Sequence, residues 1–376
     1  MPEPISIREF NRATLHRQGL IESFPAGTPV ERVVEAVGPL QAQHNPSPFL
    51  AVRARTVDIT ADAMHRALDL HRLVKASLYR QTLHMVSGDQ YGEHAAASDA
   101  VKRRNWDTYM GKLADPDALR AAVIGFAQQE RTHAEVVDFI TTWVTDNLKP
   151  GASLPDTGSW FMVRAWSWLI RTPATTRVDH HGRDGYIAGE RIIKGLGDVD
   201  PDTAWVNRVR GYLAAFGPAS VEDIQSFMGE SRVTRVRAAV IALAPDLVER
   251  TDPTGTTVYD LAAAPRPDPE TPVPVRMLPR FDSLLLAYAP KRRGRIIPDA
   301  HYAAVMKTRN AQVLASVLVD GMVAGVWEAK TEADGLEVAV TPLASMNRPV
   351  RGEVTAEAGR VAAFLAGHRP WRATIM

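Results

Sequence analysis

The stretch "GPASVEDIQSFMGESRVTRVRAAVIALAPDLVERTDPTGTTVYDLA", residues 217–262, predicts two helices joined by a tight turn and followed by a hairpin. Ser220 with Asp223 three residues later is typical of a capped helix start, and Gly229 is typical of its end. "DLVERTD" and "TVYDLA" alternate as strands do, around the turn "DPTG". With the preceding helical segment "WVNRVRGYLAAFG", this order is that of a winged helix-turn-helix.

Two earlier parts of the chain repeat this order. In residues 114–200 the helical segments "DALRAAVIGFAQQ", "THAEVVDFITTWVTDNL" and "WFMVRAWSWLIRT" precede a hairpin, "TTRVDHHGRDGYIAG". A weaker copy occupies residues 1–113 and ends in a linker helix, "DQYGEHAAASDAVKRRNW". We therefore predict three tandem winged helix-turn-helix units, over residues 1–113, 114–200 and 201–266.

The last hundred residues have a different pattern. Short apolar segments such as "SLLLAYA", "GRIIP" and "LEVAVTPL" read as strands, and Asp320-Gly321 and Asp334-Gly335 are strong hairpin turns. A Pro-rich linker, "APRPDPETPVP", separates them from the third unit. We predict a small β-barrel over residues 272–376, which makes the fold class α+β.

Composition and motifs limit the possible functions. The chain of 376 residues is 45% hydrophobic, has a formal charge of +1 and contains no cysteine, so disulfides and thiolate metal sites are excluded. It shows no secretion signal and no apolar run of the roughly 18 residues that span a membrane. No Walker loop, dinucleotide-binding glycine motif or HExxH is present. We expect a cytoplasmic protein without metal or cofactor.

Positive charge clusters in two places. In the second helix of the helix-turn-helix the arginines face outward if Val233, Val236 and Ala239 face inward. The densest run is "KRRGR", residues 291–295; such a run is most often a solvated turn. Phosphate contacts position DNA without reading its sequence. The predicted phosphate-contact set is Arg232, Arg235, Arg237, Lys291, Arg292, Arg293 and Arg295.

Five segments in order resemble the winged-helix DNA glycosylases of the AlkZ type. They are "GPLQAQ" (38–43), "YRQTLHMV" (79–86), "YLAAFGPASVEDIQSFMG" (212–229), "RMLPRFDSLLLAY" (276–288) and "VLVDGMVAGVW" (317–327). The resemblance implies three winged units and a β-barrel that enclose a DNA-binding channel. It also implies a monofunctional glycosylase that hydrolyses the N-glycosidic bond of alkylated purines.

The resemblance also implies the site residues. The family signature of Gln, an aliphatic residue, then Gln or Asp corresponds to Gln41, Ala42 and Gln43. The form with two glutamines resembles the branch that gives antibiotic producers resistance to their own DNA-alkylating products, with bulky adducts and interstrand crosslinks as substrates. The family's basic hairpin, which probes the duplex, corresponds to "APKRRGR", residues 289–295.

The chemistry sets a condition on Gln41 and Gln43. From the residues alone they are structural, because neutral amides are poor acids and bases and can cap carbonyls near a helix end. A purine alkylated at N7 or N3 already carries a positive charge, so it leaves without being protonated. The site then needs only to orient a water and stabilise the sugar cation. We expect an amide oxygen to accept from that water.

Two further residues lie in segments that match the family. His84 is a candidate neighbour of the glutamines, or else a core histidine with satisfied hydrogen bonds. Asp282 is the carboxylate rival to the glutamines, or else a buried acid that fixes the first turn of the barrel through backbone amides.

The expected partner is double-stranded DNA that carries alkylated purines, bound by a monomer associated with the nucleoid. Two alternatives remain open. One is a non-catalytic regulator built from winged helices, although regulators usually dimerise to match two half-sites. The other is a resistance protein that only sequesters adducted DNA or the drug.

Overall fold

The structure is a computed structural model that describes residues 3–307 and 311–376. Its α-helices are α1 Ile7–Arg17, α2 Val30–Val37, α3 Pro46–Arg53, α4 Ala61–Asp69, α5 Gly88–Tyr109, α6 Pro116–Phe126, α7 His133–Asp146, α8 Phe161–Trp166, α9 Gly189–Ile192, α10 Pro201–Phe216, α11 Val221–Met228, α12 Val233–Leu243, α13 Ser283–Leu286, α14 Asp299–Val305 and α15 Arg348–Ala366.

The strands pair into the sheets described below. They are β1 Glu3–Pro4, β2 Leu40–Gln41, β3 Leu73–Ser77, β4 Leu83–Ser87, β5 Arg131–Thr132, β6 Leu169–Arg171, β7 Gly185–Ala188, β8 Leu247–Thr251, β9 Thr257–Leu261, β10 Arg276–Leu278, β11 Met306–Lys307, β12 Gln312–Val313, β13 Ser316–Val319, β14 Met322–Glu332, β15 Gly335–Pro342 and β16 Trp371–Ile375.

The third unit has the order of elements that its sequence predicts. Ser220 caps α11 through a capping box with Asp223, and Gly229 ends the helix in the left-handed conformation, at φ 68°. α12 follows, and β8 and β9 form the antiparallel hairpin. The sequence did not indicate that β1 pairs in parallel with β8, so the start of the chain extends this small sheet.

Residues 1–113 and 114–200 share one sheet. Its strand order is β2-β4-β3-β6-β7-β5, and Ala76 on β3 pairs with Ile170 on β6 across the join. The prediction of one helix over "WFMVRAWSWLIRT" is wrong in its second half, because α8 ends at Trp166. Trp168 turns the chain with a positive φ of 51°, and Leu169–Arg171 then enters the sheet as a buried strand.

The C-terminal region is an open sheet rather than the predicted barrel. Its strand order is β10-β13-β14-β15-β16, and within the described residues the two edge strands β10 and β16 do not pair. α15 contacts β15, β16 and β10, and buries Val354, Ala358 and Val361 in the same core as the sheet. Because a helix covers this face, the sheet hides its apolar side without closing on itself.

Two segments predicted as strands form no strand. "SLLLAYA" contains α13, whose start is capped by Asp282, and "GRIIP" begins inside a 3-10 helix, Pro290–Arg295. A short, fully apolar run fits a buried helix as well as a buried strand, so the pattern alone did not separate them. Leu284 and Leu285 are buried in the main core of the protein.

The main core joins the first and third units to the C-terminal region. It contains Leu15 and Tyr79 from the first unit, Phe216 and Phe227 from the third, and Tyr288 from beyond the linker. The segments that carry the family resemblance therefore pack against one another. None of the helices in residues 3–307 and 311–376 has the length and apolar character of a membrane span.

Candidate functional site

Gln41 and Gln43 lie on a short segment whose backbone is held from two sides. β2 pairs with β4 so that Gln41 lies opposite His84. The Gln41 N–H donates to Ser283 Oγ at 3.1 Å, and the Ser283 hydroxyl donates to the Pro39 carbonyl at 2.7 Å. The segment starts at Gly38, where a φ of 84° and a Phe216 ring atom 3.1 Å from any added Cβ favour glycine.

The two side-chain amides have a defined orientation. Gln41 Oε1 accepts a hydrogen bond from Arg80 Nη2 at 2.9 Å, and Gln43 Oε1 accepts one from the Leu83 backbone N–H at 3.0 Å. Both partners can only donate, so the atom that each contacts must be the carbonyl oxygen. Neither Nε2 group donates to any residue that the structure describes. Each amide therefore offers two N–H donors and one remaining lone pair on its oxygen.

Gln41 and Gln43 differ in exposure. Gln41 is 7% exposed, whereas Gln43 lies at the surface. Gln41 thus lies deeper in the protein than Gln43. This arrangement suits a site in which a substrate binds at the surface and one of its groups enters the interior.

Arg80 connects Gln41 to the third unit. It lies in the 3-10 turn Tyr79–Gln81, with a positive φ of 52°. Its Nη1 donates to the Phe227 carbonyl of α11, and its guanidinium carbon lies 5.1 Å from the centroid of the Phe227 ring. A Cβ at Gly229 would come within 2.9 Å of the Arg80 nitrogen, so the end of α11 packs directly on this turn.

His84 is fully buried beside Gln41 and is neutral. Its Nδ1 lies 3.0 Å from the Thr82 carbonyl and must donate to it. Its Nε2 is buried without a partner in the described structure, and its ring packs edge-on against Tyr79 at 5.8 Å. Burial, together with the charge of Arg80, lowers the pKa of His84 to about 3. The imidazole therefore cannot supply a proton near pH 7.

Asp282 is an ion-paired acid in the core. Its two oxygens accept from Arg55 at 2.8 and 2.9 Å, and both side chains are 0% exposed. Its Oδ1 also accepts from the Leu284 N–H at 3.0 Å. Arg55 in turn donates to Gln18, which donates to the Val37 carbonyl just before the glutamine segment. Asp282 is thus engaged with the protein interior and is not available as a catalytic carboxylate.

The arginines of α12 divide into two kinds. Arg232 and Arg237 are exposed. Arg235 is half-buried, lies 3.3 Å from Glu230 and stacks over the Trp205 ring at 4.1 Å. Of these three side chains, those of Arg232 and Arg237 are open to solvent.

The segment "KRRGR" is not the predicted hairpin, and most of its charge faces inward. Arg292 donates to Asp223 at 3.0 Å and to Asp252 at 2.6 Å. Arg295 donates to the Pro218 carbonyl at 2.9 Å, and Arg293 donates to the Tyr288 carbonyl.

These three guanidinium groups donate to carboxylates and carbonyls inside the protein, so the prediction that Arg292, Arg293 and Arg295 contact phosphate is withdrawn. Among the basic residues of this run, all of which the structure describes, only Lys291 is exposed.

A cleft of about 610 Å³ begins at His44, the residue after Gln43. Val326, Trp327 and Leu336 of the C-terminal sheet line the cleft, together with charged residues that include Arg280 and Glu328. Partial desolvation and the positive charge of Arg280 lower the pKa of His44 below its ordinary value. The cleft therefore has a mixed apolar and charged lining, with a neutral imidazole near the glutamines.

Sequence reasoning missed Arg80, Ser283 and Arg55. The first two lie inside "YRQTLHMV" and "RMLPRFDSLLLAY", segments already singled out for their resemblance, which was the available signal. Their roles depend on contacts across 39 and 242 positions of sequence. A short sequence pattern cannot predict contacts between segments this far apart in the chain.

Comparison with family models identifies one family. A family model described as DNA glycosylase AlkZ-like matches residues 34–364. The solved structure of Streptomyces sahachiroi DNA glycosylase AlkZ is similar, with a TM-score of 0.78 and 21% identity, over 99% of this chain and 100% of that one. At this identity the structural match shows a shared fold. A search of curated proteins finds no match.

Proposed function

This chain belongs to the AlkZ-like family of DNA glycosylases, and on that basis we propose that it hydrolyses the N-glycosidic bond of purines alkylated at N7 or N3. The family makes the protein a DNA glycosylase and DNA its partner, which sets aside the non-catalytic regulator. What we propose beyond the family is the type of lesion that is excised, the residues that act on it and the physiological role of the enzyme.

The proposal rests on the state of the two titratable residues that were candidates beside the glutamines. His84 is neutral because its pKa is lowered to about 3, and Asp282 is bound on both oxygens by Arg55. Neither of these two residues can protonate a leaving base. The site therefore suits a purine that is already cationic, since that base departs as a neutral molecule.

Gln41 and Gln43 orient the reacting groups in this proposal. The oxygens of both amides already accept from the protein, so a water would use their remaining lone pairs while the two Nε2 groups donate to water, base or sugar oxygens. The oxygen is the negative end of each amide dipole, so its remaining lone pair is the part that can favour the developing sugar cation, and a fixed dipole needs no reorganisation during the reaction.

The cleft beside His44 supports a bulky adduct. Its volume of about 610 Å³ lies in the range of sites that hold drug-sized groups. A crosslinked base cannot be fully extruded, so an open cleft suits it better than a closed pocket. We propose that the substituent of the alkylated purine occupies this cleft, and that the enzyme protects a cell exposed to a DNA-alkylating natural product.

Exposed basic residues support DNA binding. Arg232 at the N-cap of α12, Arg237 on α12 and Lys291 after the linker are at the surface. We propose that they contact phosphates, which would hold the duplex in place without sequence preference.

An excision assay on defined duplexes tests the proposal. Duplexes that carry one 7-methylguanine, one bulky N7-alkylguanine or one N7 interstrand crosslink are incubated with the protein, and abasic sites are measured by strand cleavage at alkaline pH. We expect abasic sites from all three and none from an unmodified duplex. Cleavage of ethenoadenine together with none of the N7 adducts would overturn the proposal, and binding without abasic sites would indicate sequestration instead.

A further inference from the structure

We propose that Arg80 is a positioning residue that fixes the orientation of the Gln41 amide. The inference rests on the proposed function, because it assumes that Gln41 takes part in excision. Arg80 would not touch the substrate. It would act by holding Gln41 Oε1, so that Nε2 is presented to the substrate side in every turnover.

The contacts of Arg80 leave it little freedom. One terminal nitrogen donates to Gln41 Oε1 at 2.9 Å and the other donates to the Phe227 carbonyl of α11. The Phe227 ring lies under the guanidinium at 5.1 Å. Two hydrogen bonds from one planar group, with a stacked ring, define both the position and the plane of the guanidinium.

The backbone supports the same arrangement. Arg80 and Gln81 both have positive φ, 52° and 56°, which is uncommon for residues with a side chain. The turn is packed against Gly229, where there is no room for a Cβ. Positive φ in non-glycine residues is found where surrounding structure holds it, often at functional sites. Here it directs the Arg80 side chain toward Gln41.

The charge of Arg80 has a chemical consequence. Burial, together with the charge of Arg293, lowers the pKa of Arg80 to about 10, so the group remains charged at pH 7. A charged donor on the carbonyl oxygen withdraws electron density from the amide and strengthens its N–H groups as donors. Without Arg80 the Gln41 amide could rotate by half a turn and present oxygen in place of nitrogen.

The test uses Arg80→Gly, because glycine accepts the left-handed backbone and removes only the side chain. Single-turnover excision of 7-methylguanine is measured together with DNA affinity and thermal unfolding. We expect the excision rate to fall about 10- to 100-fold with unchanged DNA affinity, as for loss of one charge-assisted hydrogen bond. Millimolar guanidinium should restore part of the rate in Arg80→Gly and none in Gln41→Ala.

A double-mutant cycle separates this role from a structural one. Because Arg80 acts through Gln41, the pair Arg80→Gly with Gln41→Ala should be no slower than Gln41→Ala alone. The matched pair with Gln43→Ala should show added losses. If Arg80→Gly does not fold, Arg80→Lys enters the same cycle, since it keeps the charge but cannot bridge Gln41 and Phe227.

The outcomes are distinct. Full activity in the Arg80 variant, a loss confined to DNA affinity, or additive losses with Gln41→Ala would overturn the role of Arg80 and leave the proposed function intact. Full activity in Gln41→Ala would instead overturn the proposed site.

Discussion

Two arginine-rich segments of similar composition have opposite roles in the structure. At the start of α12, the N-cap residue Arg232 and the helical residue Arg237 are exposed. In the Pro290–Arg295 helix, Arg293 and Arg295 are buried, and Arg292 bridges two carboxylates. The first segment can meet a polyanion, whereas the second holds the protein together.

The contrast between these two segments shows that the residues around a run of positive charges decide whether it is exposed or ion-paired. The number of charges in the run does not. The acids that pair with Arg292 are Asp223 and Asp252, which lie 69 and 40 positions earlier and in another unit. The sequence around "KRRGR" shows only an excess of positive charge. A local charge count therefore predicted a DNA contact where the fold has an ion-pair cluster.

The largest expected effect comes from Arg292→Met. The substitution leaves Asp223, whose side chain is 0% exposed, and Asp252 without this guanidinium, and breaking a buried pair typically costs about 3–5 kcal/mol. We expect urea unfolding to show a loss of about 3 kcal/mol, with DNA affinity of the folded fraction unchanged. A variant as stable as the parent but weaker on DNA would reverse our assignment of the two segments.

The second effect comes from Arg232→Ser combined with Arg237→Ser. Each lost phosphate contact removes about 0.9 from the slope of log affinity against log salt, so the slope should fall by about 2. We expect DNA affinity to fall about tenfold at moderate salt, measured by fluorescence anisotropy. Unfolding should be unaffected, since exposed substitutions typically change stability by less than about 0.5 kcal/mol. An unchanged salt slope would show that α12 does not contact DNA.

A smaller effect is expected from Asp252→Asn, and it depends on pH. Desolvation raises the pKa of Asp252, but hydrogen bonds from Thr254 and Thr256 and the charge of Arg292 outweigh it, so the pKa lies below its ordinary value. A lowered carboxyl pKa stabilises the fold above the unfolded value near 3.8, and this contribution is lost as pH falls below it.

Asp252→Asn should therefore be less stable than the parent by about 1–2 kcal/mol at pH 7. The gap should narrow as pH falls below about 4. Urea unfolding of both proteins at several pH values measures this difference in the free energy of unfolding. A gap that stays constant with pH would mean that the carboxylate is not stabilised by the cluster.

Lys291→Met should have the smallest effect. Lys291 is exposed at the start of the buried cluster, and one ammonium group can neutralise at most one phosphate. We expect the salt slope to fall by no more than about 1 and the stability to stay within about 0.5 kcal/mol of the parent. A large loss of stability would show that Lys291 belongs with the buried arginines.

The sequence predicted well what depends on local pattern. The capping of α11, the helix-turn-helix order of the third unit and its β8–β9 hairpin follow from caps, turns and periodicity. The sequence did not predict features of the fold that depend on contacts between segments far apart in the chain. The sheet shared by the first two units depends on the β3–β6 pairing, and the open C-terminal sheet depends on its cover by α15.

The candidate site was predictable in part. Family resemblance pointed to Gln41 and Gln43, and the structure brings His84 next to them, but their hydrogen bonds could not be derived from spacing. The positions of Arg80 and Ser283 depend on the third unit and the C-terminal region meeting the first unit in one core. The role of Asp282 became clear only with Arg55 in place.

Single-turnover release of 7-methylguanine from a duplex, compared between the parent protein and Gln41→Ala with Gln43→Ala, decides whether the paired amides carry out excision. We expect the parent to release the cationic base at a rate that does not vary between about pH 6 and 8, because no group needs to protonate it. The double variant should keep DNA affinity and lose release. Equal rates in the two proteins, or no release by the parent, would contradict the claim that paired amides act on a base that carries its own charge.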